Sequence, residues 1–271
     1  MNTLLIDEDI MRFLLSTTVL TLLATGANAN TQPPSRIHDV TVFADTSLTI
    51  ALTKIARRYS SEKQLSVSAV FSSTKEQVER IEDGEEAHLF ISAKPSWIKR
   101  LQQQGLIDVY SRTNIASNIL SIAGPVATKG EDAPVNSETL HTLLPTDDDE
   151  FQFALGDPEY LAEGTYGFQA LQNTGLNVEL EPYYSIMRSS HDMFRATQKY
   201  GAYSAILKTD AMLHPDVHIV SHFPTESYDP ITYQAVVVAG ENMDGARKFL
   251  SYLQSDEALE VLTNYGFGLV E

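Results

Sequence analysis

Two short segments of this chain join an apolar strand to a cluster of hydroxyls that opens a helix. In the first, Val40–Ala44 leads into Asp45-Thr46-Ser47-Leu48, and in the second, Val67–Phe71 leads into Ser72-Ser73-Thr74-Lys75. A helix start carries backbone N–H groups without internal partners and the positive end of the helix dipole. Hydroxyls added there make a neutral, size-selective cradle for a small anion. Two such cradles close in sequence suit a single solute gripped by both. Ser and Thr are also ordinary helix caps, so the pattern needs support from the rest of the chain.

Other candidate chemistry is weaker. His214, His218 and His222 have a spacing that would serve a metal on a helix. The run Val217-His218-Ile219-Val220 is β-branched and reads as a strand, which spreads those imidazoles too far apart for one ion. Asp147-Asp148-Asp149-Glu150 lacks the alternation of a calcium loop and reads as a solvated loop. There is no G-x-S-x-G elbow, no phosphate-binding loop and no G-x-G-x-x-G fingerprint. Cysteine is absent, which excludes disulfides, thiolate catalysis and cysteine metal sites. Nothing argues for an enzyme.

The elements that would position the hydroxyls alternate in type. Leu48, Leu52, Ile55 and Tyr59 recur at helical spacing, Thr74–Gly84 reads as a helix opened by the capping box Ser73-x-x-Glu76, and Leu89–Ile91 as a buried strand. Pro95 opens a helix with Trp97, Ile98 and Leu101 on one face. Strands follow at Ile119–Ala123, Phe153–Leu155, Ser204–Leu207, Val217–Val220 and Tyr233–Ala239. Helices are expected at Ser137–Leu144, Thr165–Thr174, His191–Tyr200, Met243–Leu253 and Ser255–Tyr265. The alternation is that of an α/β protein with a mainly parallel sheet.

The N-terminus reads as an export signal. Arg12, the apolar run Phe13–Ala24 and the small-residue site Ala27-Asn28-Ala29 follow an acidic stretch, which points to Met11 as the start and to residues 1–29 as the removed segment. Residues 30–39 read as a disordered leader. No later stretch is long and apolar enough to span a bilayer. The formal net charge is −17, which argues against nucleic acid and anionic membrane surfaces as partners. It leaves small anions open, since hydroxyls and backbone N–H groups bind them without charged side chains.

Five sets of residues, in order along the chain, carry a resemblance. They are Val40-Thr41-Val42-Phe43-Ala44 with Ser47-Leu48-Thr49; Leu89-Phe90-Ile91-Ser92-Ala93 with Trp97; Gly156-Asp157-Pro158-Glu159 with Gly164 and Tyr166; Phe223-Pro224 with Pro230-Ile231 and Tyr233; and Tyr265-Gly266-Phe267. Over nearly all of Val40–Phe267 the chain resembles the exported molybdate-binding proteins of ABC transporters. The resemblance implies a two-lobed periplasmic-binding-protein fold of type II, with mixed, mainly parallel sheets. Lobe 1 would be residues 40–117 plus 235–271, and lobe 2 residues 118–234. It also implies a periplasmic monomer that hands a tetrahedral oxyanion, molybdate or tungstate, to a membrane permease, with no cofactor.

By the same resemblance Ser47, flanked by Thr46, and Thr74 supply the hydroxyls and N–H groups of lobe 1. In lobe 2, Glu163 falls where the family has a small residue, His191 falls near a backbone donor, and Leu207 stands where a tyrosine hydroxyl is expected. Lys75 and Lys208 adjoin two of these positions and could restore positive charge. These departures keep two alternatives open: a zwitterionic or organic solute with Glu163 pairing a cationic group, and a sensory protein using the same cleft.

Overall fold

The strand Val40–Asp45 (β1) is buried along almost its whole length, as a strand covered on both faces must be. It lies parallel between Val67–Ser72 (β2) and Leu89–Ser92 (β3). Ile231–Val237 (β10) runs antiparallel between β3 and Thr113–Asn118 (β4), giving the order β2-β1-β3-β10-β4. The second sheet repeats this plan. Phe153–Gly156 (β6) is parallel to Tyr184–Met187 (β7) and to Tyr203–Leu207 (β8). Leu120–Pro125 (β5) runs against both β8 and Val217–His222 (β9), giving β7-β6-β8-β5-β9. In each sheet four strands share a direction and one opposes them, and the opposing strand arrives on the crossing from the other sheet. The chain crosses at Ile119 and again between β9 and β10.

This computed structural model describes residues 40–270 apart from 64, 126–137, 139–143, 145–150 and 215. The expected signal segment, leader, helix Ser137–Leu144 and acidic loop lie wholly or almost wholly outside the described residues.

Helices cover the sheets with the faces that periodicity marks out. Thr49–Lys63 (α1) buries Leu52, Ile55 and Tyr59, and Tyr59 packs edge-on against Phe249 at 5.1 Å. Thr74–Glu82 (α2) is capped by Ser73, whose side chain accepts from the Glu76 N–H at 3.4 Å. Pro95–Gln103 (α3) turns Trp97, Ile98 and Leu101 inward. Ser190–Tyr200 (α6), Met243–Tyr252 (α8) and Asp256–Asn264 (α9) fall within a few residues of expectation.

Several elements differ from the sequence reading. Ala162–Thr174 (α4) begins three residues before the expected Thr165 and so places Glu163 in its first turn. Strands β4 and β7 were not anticipated, because β4 is largely polar and β7 is a short edge strand. The short helices Leu176–Leu180 (α5) and Lys208–Leu213 (α7) were missed for the same reason of length. Ile231–Gln234, assigned from sequence to the second lobe, pair with Asn118–Asn114 in the first sheet.

Candidate functional site

In open α/β sheets ligands bind beyond the carboxyl ends of the strands, where neighbouring connections diverge. Here β1, β2 and β3 end at Asp45, Ser72 and Ser92, and β6, β7 and β8 end at Gly156, Met187 and Leu207. A cleft of about 780 Å³ opens among these ends. Thr46, Ile50, Ser72 and Ser73 line it from the first lobe, and Tyr160, Arg188, Ser190, His191, Asp210 and His214 from the second.

At the base of the first lobe the two anticipated hydroxyls are already bonded. The Asp45 carboxylate accepts from the Ser47 N–H at 3.1 Å and the Ser47 hydroxyl at 2.7 Å, and from the Thr74 hydroxyl at 3.3 Å. All three residues are buried. The Ser47 Oγ also lies 2.7 Å from the Tyr233 hydroxyl, and the Asn118 amide donates to that hydroxyl at 2.9 Å and to Thr209 Oγ1 at 2.8 Å. A polar chain thus runs from the first helix start through the crossing at Asn118 into the second lobe. Burial raises the Asp45 carboxyl, and its bonds to Ser47 oppose that only in part.

The second lobe contributes two more buried carboxyls. Glu163 is 3 % exposed and accepts from the Ser190 hydroxyl at 2.5 Å. Burial, then the charge of Asp45, pushes it up to about 7. Asp210 is raised well above the usual carboxylate range by burial and by the charges of Glu163 and Asp45. Lys94, also buried, is pulled down to about 8 by its desolvation, although Glu163 and Asp45 oppose the shift. Its Nζ donates to the backbone carbonyls of Pro158 and Glu159 across the lobes.

The remaining anticipated residues fall in different places. His191 lines the cleft and is exposed, and Thr46 lines it beside Ser47. Leu207 is fully buried at the start of α7 and does not line the cleft. Lys75 turns to Glu159 at 2.5 Å and to the Tyr160 hydroxyl at 3.3 Å, and the Glu159 bond raises its pKa. Lys208 is half-buried, and its N–H donates to the Ile119 carbonyl. Of the three spaced histidines, His214 stacks on Phe194 and His222 Nδ1 meets Ser121 Oγ at 2.8 Å. Among the described residues no group of three or more potential ligands is placed to hold a metal.

Sequence reasoning passed over Asp45, Lys94 and Asp210. Two of them carry a local signal. Asp45 stands two residues before Ser47 in the pattern of a side chain that bonds the backbone ahead of it. Lys94 puts a cation at a helix start, where the dipole disfavours it.

Residues 40–268 match the family of bacterial extracellular solute-binding proteins. The chain belongs to that family. It is 31 % identical over 229 residues to the molybdate-binding protein ModA of Escherichia coli, covering 84 % of this chain and 88 % of that one. It is 28 % identical over 231 residues to the molybdate-binding protein ModA of Haemophilus influenzae, covering 84 % and 89 %. The periplasmic molybdate-binding protein of Azotobacter vinelandii shares the fold, with a TM-score of 0.72 at 18 % identity over 86 % of this chain and 100 % of that chain. The family and these neighbours agree with the paired mixed sheets and with a cleft for a solute between them.

Proposed function

We propose that this chain is the extracytoplasmic receptor of an ABC importer, which closes its lobes over one small solute and presents it to a membrane permease. The observation that carries the reading is the cleft itself. It lies at the carboxyl ends of strands from both sheets and is lined from both lobes. The names of the relatives put molybdate among the candidate solutes, and the Ser47 and Thr74 hydroxyls offer an oxyanion the donors it needs. Those donors are satisfied by Asp45, so an oxyanion would enter with proton uptake, or by displacing that side chain. Calorimetric titration with molybdate, tungstate, sulfate and phosphate at pH 5 and pH 8, with the radius of gyration followed by X-ray scattering, tests this. Oxyanion binding that strengthens at pH 5 and compacts the protein supports an oxyanion receptor.

A specific observation favours an organic solute instead. The cleft has the size range of sites that enclose one, about 300–1,000 Å³. It is walled by Ile50, Tyr160, Leu161, Phe194 and Leu213.

A further inference from the structure

The cleft is lined by side chains of two kinds, apolar or aromatic and polar or charged. One part of the lining is apolar and aromatic, with Phe194 stacked on His214 at a ring separation of 3.9 Å, together with Tyr160 and Leu161. Asp210 is another lining residue, 4 % exposed, and its carboxylate has no hydrogen-bond donor among the described residues. Ser72 lines the same cleft from the other lobe, and its Oγ is buried without a partner among the described residues. Ser190 donates its hydroxyl proton to Glu163, which leaves its own lone pairs free to accept. The cations nearby are matched: Lys75 with Glu159, Arg188 with Asp157, and Lys94 with two backbone carbonyls. A buried carboxylate without a donor persists only if it is neutral or if a ligand pairs with it.

We infer that the solute of this cleft is an organic amine in its protonated form, its ammonium held by Asp210, Ser72 and Ser190 and its apolar body lying against Tyr160, Phe194 and His214. The inference rests on the cleft being the solute site and names the class of solute. An ammonium group has three N–H donors and no acceptor, which matches one carboxylate and two hydroxyls with lone pairs to offer. An anion in the same place would meet Asp210 with Asp45 and Glu163 close behind it. Ser72 belongs to the first lobe and Asp210 and Ser190 to the second, so one ammonium bridges the lobes and favours their closure.

The test is calorimetric titration of the purified chain at pH 8 with phenethylamine, agmatine and spermidine. Shape-matched 3-phenylpropionate and 3-phenylpropanol, and molybdate, serve as the other arms. At least one of the three amines is expected to bind, and the best of them at least tenfold tighter than the anionic and neutral compounds. Asp210→Asn loses at least tenfold in amine affinity. Should that variant fold poorly, Ser72→Ala, which removes a hydroxyl that has no partner among the described residues, weakens the same amine several-fold.

The titratable groups close to Asp210 are Glu163, Asp45 and Tyr233, with Lys94 near the first two carboxyls and Glu76, Glu79, Arg188, His191 and His214 around the cleft. Amine binding therefore strengthens from pH 5 to pH 8 as the carboxyls ionise, and it releases protons to the buffer. Equal binding of amines and their isosteres, or amine binding that weakens as pH rises, overturns the inference. Binding of molybdate or phenylpropionate without amine binding also overturns it but leaves the receptor reading standing. If neither amines nor oxyanions bind or compact the protein, both readings fall.

Discussion

Asp45 does for Ser47 and Thr74 what a bound oxyanion would do: it accepts from one N–H and two hydroxyls, buried next in sequence to Thr46 and Ser73, which line the cleft. Removing it therefore has two opposed consequences. Asp45→Ala takes the acceptor from the Ser47 N–H and the Thr74 hydroxyl and leaves the Ser47 hydroxyl only Tyr233, and a buried group without its partner costs about 1–3 kcal/mol. The same donors then become available to a tetrahedral anion. We expect the variant to melt below the wild type and to gain molybdate affinity at least tenfold at pH 8, each tenfold being about 1.4 kcal/mol. Lowered stability with no gain of anion binding, read by calorimetry, would show that the two helix starts are structural caps only.

Glu163 supports a second prediction at this scale. Its carboxyl is raised from an ordinary 4.5 to about 7, so the folded protein holds its proton more tightly than the unfolded chain does. The stability this confers is complete below about 4.5 and is lost as pH rises through 7. Glu163→Gln, which keeps the shape and removes the charge, should leave the melting temperature nearly unchanged at pH 5 and raise it at pH 8. For a domain of this size about 2–4 °C accompanies each kcal/mol. A variant that melts lower than the wild type at pH 8 would mean that the ionised carboxylate is needed in the fold.

At the scale of elements, the junction of β6 and α4 shows why a family motif has its glycines. An added Cβ on Gly156 would lie 2.9 Å from the Gly164 nitrogen, and one on Gly164 would collide with the Gly156 carbonyl. The strand end and the helix start are in backbone contact, which is how Glu163 comes to sit in the first turn, 2.5 Å from Ser190. Gly164→Ala should cost about 1–3 kcal/mol by overpacking, seen as a lower denaturant midpoint. A midpoint equal to that of the wild type would mean the junction can open without loss.

The same junction separates what the sequence made legible from what it did not. Apolar patterning located β1, β3, β6, β8 and the faces of α1, α2 and α3, because each buries a continuous face, and it located β2 by its apolar run although that strand is only partly buried. It missed β4, whose Thr113, Asn114, Ser117 and Asn118 offer no apolar run, and whose place is set by pairing to β10. The hydroxyls at Ser47 and Thr74 were legible as helix-start donors. That a carboxylate two residues before Ser47 satisfies both of them was not, because the bond from Thr74 spans 29 residues and depends on how β1 and β2 pair. Asp210 was hidden for a similar reason, since its lack of a partner exists only once α7 is placed beside the cleft.

Across the whole molecule the lobes are tied at two levels. Near the crossings, Asn118 joins Tyr233 to Thr209, and this link persists through any rotation that pivots there. Other ties join the lobes directly and are of the kind that opening must strain: Tyr166 OH donates to the Ala93 carbonyl at 2.7 Å, Lys94 reaches the carbonyls of Pro158 and Glu159, and Lys75 pairs with Glu159. The Tyr166 bond is the most informative of these, because both partners are buried and neither is charged. Tyr166→Phe keeps the ring packed against Tyr228 and removes only the hydroxyl. It leaves the Ala93 carbonyl without that donor, a loss of about 1–3 kcal/mol. Part of that loss should appear as a shift toward the open arrangement, since an equilibrium between two forms moves with whatever is lost in one of them alone. The ligand-free variant is therefore expected to show a larger radius of gyration than the wild type in solution scattering, and solute should restore compaction with weaker apparent affinity. An unchanged radius together with an unchanged melting temperature would place the closing force elsewhere, with Lys75 and Lys94 the next residues to substitute.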